Sequence, residues 1–144
     1  MSRITATLAL SFAALASTVT AAPAVSAVSP AVHGDHLTVT VKDSGDPSRD
    51  GTYELYCHPA AGDHPDPSGA CETLEKATRW GKDPFAPVPR DSACTKQYGG
   101  PATAHVTGRW AGRPVDARYD RTDGCQISRW NDMEPLLPST SSIR

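Results

Sequence analysis

The 144-residue chain has no cationic tract, no paired C-x-x-C spacing and no G-x-S-x-G elbow, and it lacks a membrane-length apolar run beyond its first residues. Each absence removes a class of function. Its 14 Lys and Arg are scattered among 16 Asp and Glu, for a net charge of −2. Such a surface does not gather a phosphate backbone, so nucleic acid is not expected as a partner. No apolar stretch after residue 27 is long enough to cross a bilayer, so no membrane segment is expected in the mature form. Zinc would want paired cysteines, and none stand close together, so no metal or cofactor is expected. Without a nucleophile elbow, and with dispersed acids, nothing assembles a hydrolytic site. The chain is therefore expected not to be an enzyme. It also has no internal repeat.

What is present starts at the N-terminus. Met1-Ser2-Arg3 carries the only charge before Asp35, Ile4 to Ala16 is apolar, and Val25-Ser26-Ala27 fits the small-x-small rule for cleavage. Residues 1–27 therefore read as a secretory signal peptide. Residues 28–35 read as a flexible arm, 36–130 as the folded domain and 131–144, polar and Pro-containing, as a loose tail. An exported, extracellular chain meets an oxidising compartment, where an even number of cysteines means disulfides. Cys57, Cys71, Cys94 and Cys125 allow three pairings. The sequence-local one, Cys57–Cys71 with Cys94–Cys125, closes one short and one longer loop. Each would contribute about 2–4 kcal/mol by restricting the unfolded chain.

The hydrophobic pattern is that of an α+β domain. His36–Lys42 alternates, with Leu37, Val39 and Val41 on one face, and Thr52–Cys57 follows after an Asp/Ser/Gly/Pro turn cluster. Ala102–Trp110 and Val115–Tyr119 alternate around the Ala111-Gly112 turn. Cys125–Trp130 is expected as a last short strand after an Asp123-Gly124 turn. One helix is expected over Ala70–Trp80, capped by Asp66 or Ser68 and stopped at Gly81. Five histidines are present, and with His33 and His36 as their only close pair they are expected to be solvated. Trp80, Trp110 and Trp130 are expected to pack in the core or at its edge.

The stretch Cys94-Thr95-Lys96-Gln97-Tyr98-Gly99-Gly100-Pro101 lies between a Pro-rich segment and the third strand. On composition alone Lys96 is a solvated loop lysine. Four features together change that reading. They are His64-Pro65 before Ala70-Cys71, the Cys94-x-x-x-Tyr98 loop, the Gly108-Arg109-Trp110-Ala111-Gly112-Arg113 hairpin and the late Cys125. Over residues 35–130 the chain resembles the Streptomyces subtilisin inhibitor family of secreted protease inhibitors.

That resemblance implies a five-stranded antiparallel sheet with one or two helices packed on one side, two disulfides in the sequence-local pairing, and a homodimer. It implies a reactive bond two residues after the third cysteine, Lys96–Gln97, with an extracellular serine protease as partner. Lys96 suits a trypsin-like pocket that ends in a carboxylate, and subtilisin-like enzymes would accept it more loosely. Cys94 would anchor one side of the loop, Thr95 would favour an extended backbone, and Tyr98 would be the packing anchor of the other side. Two positions depart from the family pattern: Thr95 replaces a Pro, and Gly99-Gly100 replaces Asp-Pro after the Tyr. Both are expected to loosen the loop, because Pro restricts and Gly frees the unbound backbone. The alternatives are a non-inhibitory secreted binding module on the same scaffold and a transglutaminase substrate offering Lys96 and Gln97.

Overall fold

The computed structural model describes residues 34–79 and 82–140. The expected signal peptide and most of the expected N-terminal arm lie outside the described residues, as do Trp80 and Gly81.

Strand β1, Asp35–Lys42, is the centre of the molecule. Its alternating Leu37, Val39 and Val41 are at most 2% exposed, which is what one solvated and one buried sheet face require. On one side β1 pairs antiparallel with β2, Gly51–Cys57. On the other it pairs with a strand running Thr103–Trp110, which pairs in turn with Arg113–Tyr119. The outer neighbour of β2 is β3, Ala61–Gly62. Numbering the Thr103 and Arg113 strands β4 and β5, the five-stranded order is β3-β2-β1-β4-β5. Gly62 lies at the β3 edge with φ +110°, and a Cβ there would stand 2.0 Å from the Glu54 carbonyl oxygen, so this short strand needs glycine.

Helix α1 is Pro67–Ala77, starting three residues before the expected Ala70. Asp66 caps it by accepting the Gly69 N–H at 2.9 Å, and Pro67 takes the first turn, where its missing N–H costs nothing. Ala70, Cys71 and Leu74 face the sheet. The Cys57–Cys71 disulfide, 14 residues apart in sequence, ties that helix to the end of β2.

Two expectations fail at the C-terminal end. Cys125–Trp130 is not a strand but part of helix α2, Gly124–Asn131. Asp123 is its cap, accepting the Gln126 N–H at 2.9 Å. Asp-x-x-Gln at a helix start resembles a capping box, and that signal outweighs the Asp-Gly turn preference. The fifth strand is supplied by Ala61–Gly62 inside the segment expected to be a loop.

Of the expected tail, residues 141–144 lie outside the described residues, and residues 132–140 are not loose: Met133, Leu136 and Leu137 are at most 2% exposed and join the core around Trp130 and Leu74. His64 fixes them. It is 6% exposed, its Nδ1 accepts the Asp66 N–H at 3.1 Å, and its Nε2–H donates to the Leu136 carbonyl at 2.9 Å. His64 is thus a buried structural histidine and not a solvated one. Trp130 and Trp110 are core residues as expected. The indole N–H of Trp130 donates to the Pro138 carbonyl at 2.9 Å, and that of Trp110 donates to the Thr78 hydroxyl at 2.7 Å.

Candidate functional site: a loop clamped to the start of α2

Cys94 to Gly100 has no regular secondary structure. Its shape is set from outside, by the segment Arg121–Ile127 that leads into α2. The Cys94–Cys125 disulfide, with a Cα–Cα distance of 5.3 Å, makes the first attachment. The second is next to it: the Gly124 N–H donates to the Thr95 carbonyl at 3.0 Å. A Cβ on Gly124 would stand 2.0 Å from the Thr95 hydroxyl oxygen, so a glycine here lets the loop approach the helix N-terminus.

The third attachment closes the other end. The Gly99 N–H donates to the Arg121 carbonyl at 2.7 Å, and the Arg121 Nε–H donates back to the Gly99 carbonyl at 3.1 Å. A Cβ on Gly99 would lie 2.7 Å from Ile127 Cγ1 and 3.0 Å from Arg121 Cβ. The glycine therefore permits contact with α2. The expectation that Gly99 loosens the loop is corrected by this geometry: a small residue here gains two hydrogen bonds and a packed neighbour.

Between these clamps three side chains project. Lys96 and Gln97 are exposed, and Tyr98 is 66% exposed. Among the described residues, none of the ion pairs takes Lys96. Tyr98 is not a packing anchor; Gly99 and Arg121 do that work, and the tyrosine ring is left exposed. The loop is a ridge between two hollows, and Gln97 lines both. One, of about 840 Å³, is bounded by Thr95, α2 and Lys82–Pro84. The other, of about 680 Å³, is bounded by Tyr98–Ala102 and the Asp43–Asp46 turn.

That turn is itself ordered by carboxylates. The Ser48 hydroxyl and N–H hold Asp46 below the usual carboxylate range, and Ser44 does the same for Asp50. Cys94, Asp123 and Cys125 gather within 4.8 Å of one another. The two sulfurs are bonded to each other and have no thiolate to offer a metal.

A family model described as subtilisin inhibitor-like matches residues 32–122. The chain belongs to the subtilisin inhibitor-like family. The match covers all five strands, α1 and the whole projecting loop, and it ends just before the Asp123 cap. Among relatives, subtilisin inhibitor-like protein 1 of Streptomyces cacaoi is 38% identical over 80 residues, which is 52% of this chain and 68% of that one. Among solved structures, Streptomyces caespitosus sermetstatin, in complex with Bacillus licheniformis subtilisin, is 26% identical. It covers 71% of this chain and 96% of its own, with a TM-score of 0.40.

The two disulfides join the expected cysteines. Arg121, Gly124 and Ile127 were not foreseen as loop supports. The glycine just before Cys125 was a usable signal, since a glycine at a helix start invites close approach. Arg121 carried none, because an arginine in a polar stretch normally reads as solvated.

Proposed function

We propose that this chain is a secreted inhibitor of extracellular serine proteases, and not itself an enzyme, that presents Lys96–Gln97 as a substrate-like bond. One observation carries the reading. Lys96, Gln97 and Tyr98 project into solvent, while the residues on either side, Thr95 and Gly99, are hydrogen-bonded to the same buttress. A free peptide loses conformational entropy when it enters a protease cleft, and its cut ends separate. A loop fixed at both shoulders has given up that entropy on folding, so it binds with little further loss. The exposed backbone of Lys96 to Tyr98 makes none of the loop's main-chain hydrogen bonds and is free to pair with an enzyme edge strand. Lys96 would place its ammonium against a pocket carboxylate, which favours trypsin-like targets over subtilisin-like ones.

The N-terminal composition supports export. The resemblance further implies a homodimer, which a sedimentation mass of twice the mature chain would support and a monomer mass would contradict. A loop loosened at Gly99 would favour a non-inhibitory binding module, and that support weakens once Gly99 is a point of attachment. The test is Lys96→Glu. It is expected to abolish trypsin inhibition while leaving the circular dichroism spectrum and melting temperature unchanged. Inhibition equal to wild type in that variant would exclude Lys96–Gln97 as the reactive bond.

A further inference from the structure

Arg121 is an unusual residue to find at 4% exposure. A buried guanidinium normally answers a carboxylate, and among the described residues no ion pair includes it. Its partners are neutral. Nε–H donates to the Gly99 carbonyl at 3.1 Å, Nη1–H donates to the Asn131 Oδ1 at 2.8 Å, and the guanidinium carbon stands 5.8 Å from the centre of the Trp130 ring. Its own carbonyl accepts the Gly99 N–H. One residue thus holds both polar groups of Gly99, and α2 holds that residue through Asn131 and Trp130. Charged donors make the stronger hydrogen bonds, and the low dielectric around a buried group strengthens them further.

We propose that Arg121 is the positioning residue that keeps a cut loop able to re-form its bond. The inference rests on the reading of Lys96–Gln97 as the reactive bond. In the forward step the protease serine oxygen attacks the Lys96 carbonyl, the Lys96–Gln97 C–N bond breaks, and the Gln97 nitrogen leaves as an amine carrying the proton. In the reverse step that amine attacks the acyl carbon, the serine oxygen departs with a proton, and the peptide bond returns. Water attacking instead releases the Lys96 carboxylate. The new amino terminus, Gln97, is two residues from Gly99. The Gly99–Arg121 clasp holds it beside the acyl group, so reversal outruns hydrolysis. The disulfide at Cys94 tethers the other cut end and does nothing for this one. Arg121 acts through Gly99 and never meets the protease.

The test measures two quantities on the mature, oxidised protein. One is the equilibrium ratio of cleaved to intact Lys96–Gln97 bond under catalytic trypsin. The other is the amide exchange rate of Gly99 without protease. Arg121→Met removes the Nε–H bond to the Gly99 carbonyl and keeps the main-chain bond from the Gly99 N–H. It is expected to shift the ratio toward the cleaved form by about tenfold, the effect of one charge-assisted hydrogen bond, and to speed Gly99 exchange because a clasp held by one bond opens more often than a clasp held by two. Asn131→Leu, which frees the far end of the guanidinium and keeps Arg121, moves both in the same direction and serves if Arg121→Met does not fold. Val41→Ala, a core change away from the loop, lowers the melting temperature and leaves the ratio unchanged.

Wild-type values in Arg121→Met or Asn131→Leu would overturn the proposal. So would an equal shift of the ratio in Val41→Ala. A wild-type protein that trypsin simply degrades would refute the inhibitory reading. Gly99 exchange in Arg121→Met would then still decide whether the clasp exists.

Discussion

Replacing Gly99 with Ala isolates contact from conformation. The added methyl carbon would stand 2.7 Å from Ile127 Cγ1, 2.9 Å from Ile127 Cδ1 and 3.0 Å from Arg121 Cβ. Real carbon atoms do not approach so closely, so the loop or α2 must move. Moving the loop stretches both hydrogen bonds to Arg121. Overpacking of this kind costs about 1–3 kcal/mol. If that cost falls on the bound-like loop shape, it corresponds to roughly a 5- to 150-fold weaker inhibition constant.

Gly100 is the natural contrast. It has φ +102° and nothing within 4 Å of a Cβ, so Gly100→Ala meets backbone strain alone, about 1–2 kcal/mol. The assay is trypsin inhibition at several substrate concentrations, alongside the rate of cleavage at Lys96–Gln97. Ile127→Ala should largely restore inhibition to Gly99→Ala by opening space, with a double-mutant coupling of about 1 kcal/mol or more, and should do nothing for Gly100→Ala. If Gly99→Ala inhibits as well as wild type, or if Ile127→Ala fails to rescue it, the close approach of loop and helix does not set the loop's shape.

Three further outcomes are expected. Opening the Cys94–Cys125 bond, which spans 31 residues, by a double change to Ser should cost about 3–4 kcal/mol in denaturant unfolding and turn the loop into a substrate; unaltered inhibition would show that the hydrogen-bonded clamps suffice alone. Leu136→Ala should cost about 2–4 kcal/mol as a core truncation, and a change below about 0.5 kcal/mol would mean that the C-terminal segment is peripheral after all.

The third concerns alkaline pH. Burial pushes the Tyr119 phenol up to about 12, against the opposing pull of the Arg129 guanidinium, which stacks 3.8 Å from the ring centre. An acid whose folded pKa is raised above its unfolded value favours the folded state while protonated. That contribution is whole below pH 10 and is lost as pH climbs from about 10 to 12. Unfolding free energy should therefore fall by roughly 2–3 kcal/mol across that window and should fall much less in Tyr119→Phe. An identical pH dependence in both proteins would contradict the assignment.

Much of the sheet was legible because alternation reports a half-buried strand directly. β1, β2, β4 and β5 fall within a residue or two of their sequence-based bounds. β3 was not legible, since two residues are too few to carry a period and Gly62 serves a close backbone approach. α2 was missed because its eight residues bury only Trp130 fully, leaving little helical stripe to read.

The buried C-terminal segment was hidden by its prolines and serines, and its anchoring depends on His64, 72 residues away from Leu136 in sequence. At the site, the family resemblance led to the projecting residues and the disulfide. It did not lead to the buttress, because a clamp made by backbone groups and a buried arginine leaves no pattern in the loop's own sequence. Gly99 was misread for the same reason: a glycine's freedom is visible in a sequence, and the neighbour it makes room for is not.

The most direct test of the account is a titration of trypsin, and in parallel of subtilisin, with mature oxidised protein, followed by mass analysis of the mixtures. The account predicts loss of trypsin activity at near-equal molar ratio, with the chain intact or nicked only between Lys96 and Gln97. Full protease activity with rapid degradation of the loop, or a stable nick at any other bond, would contradict it.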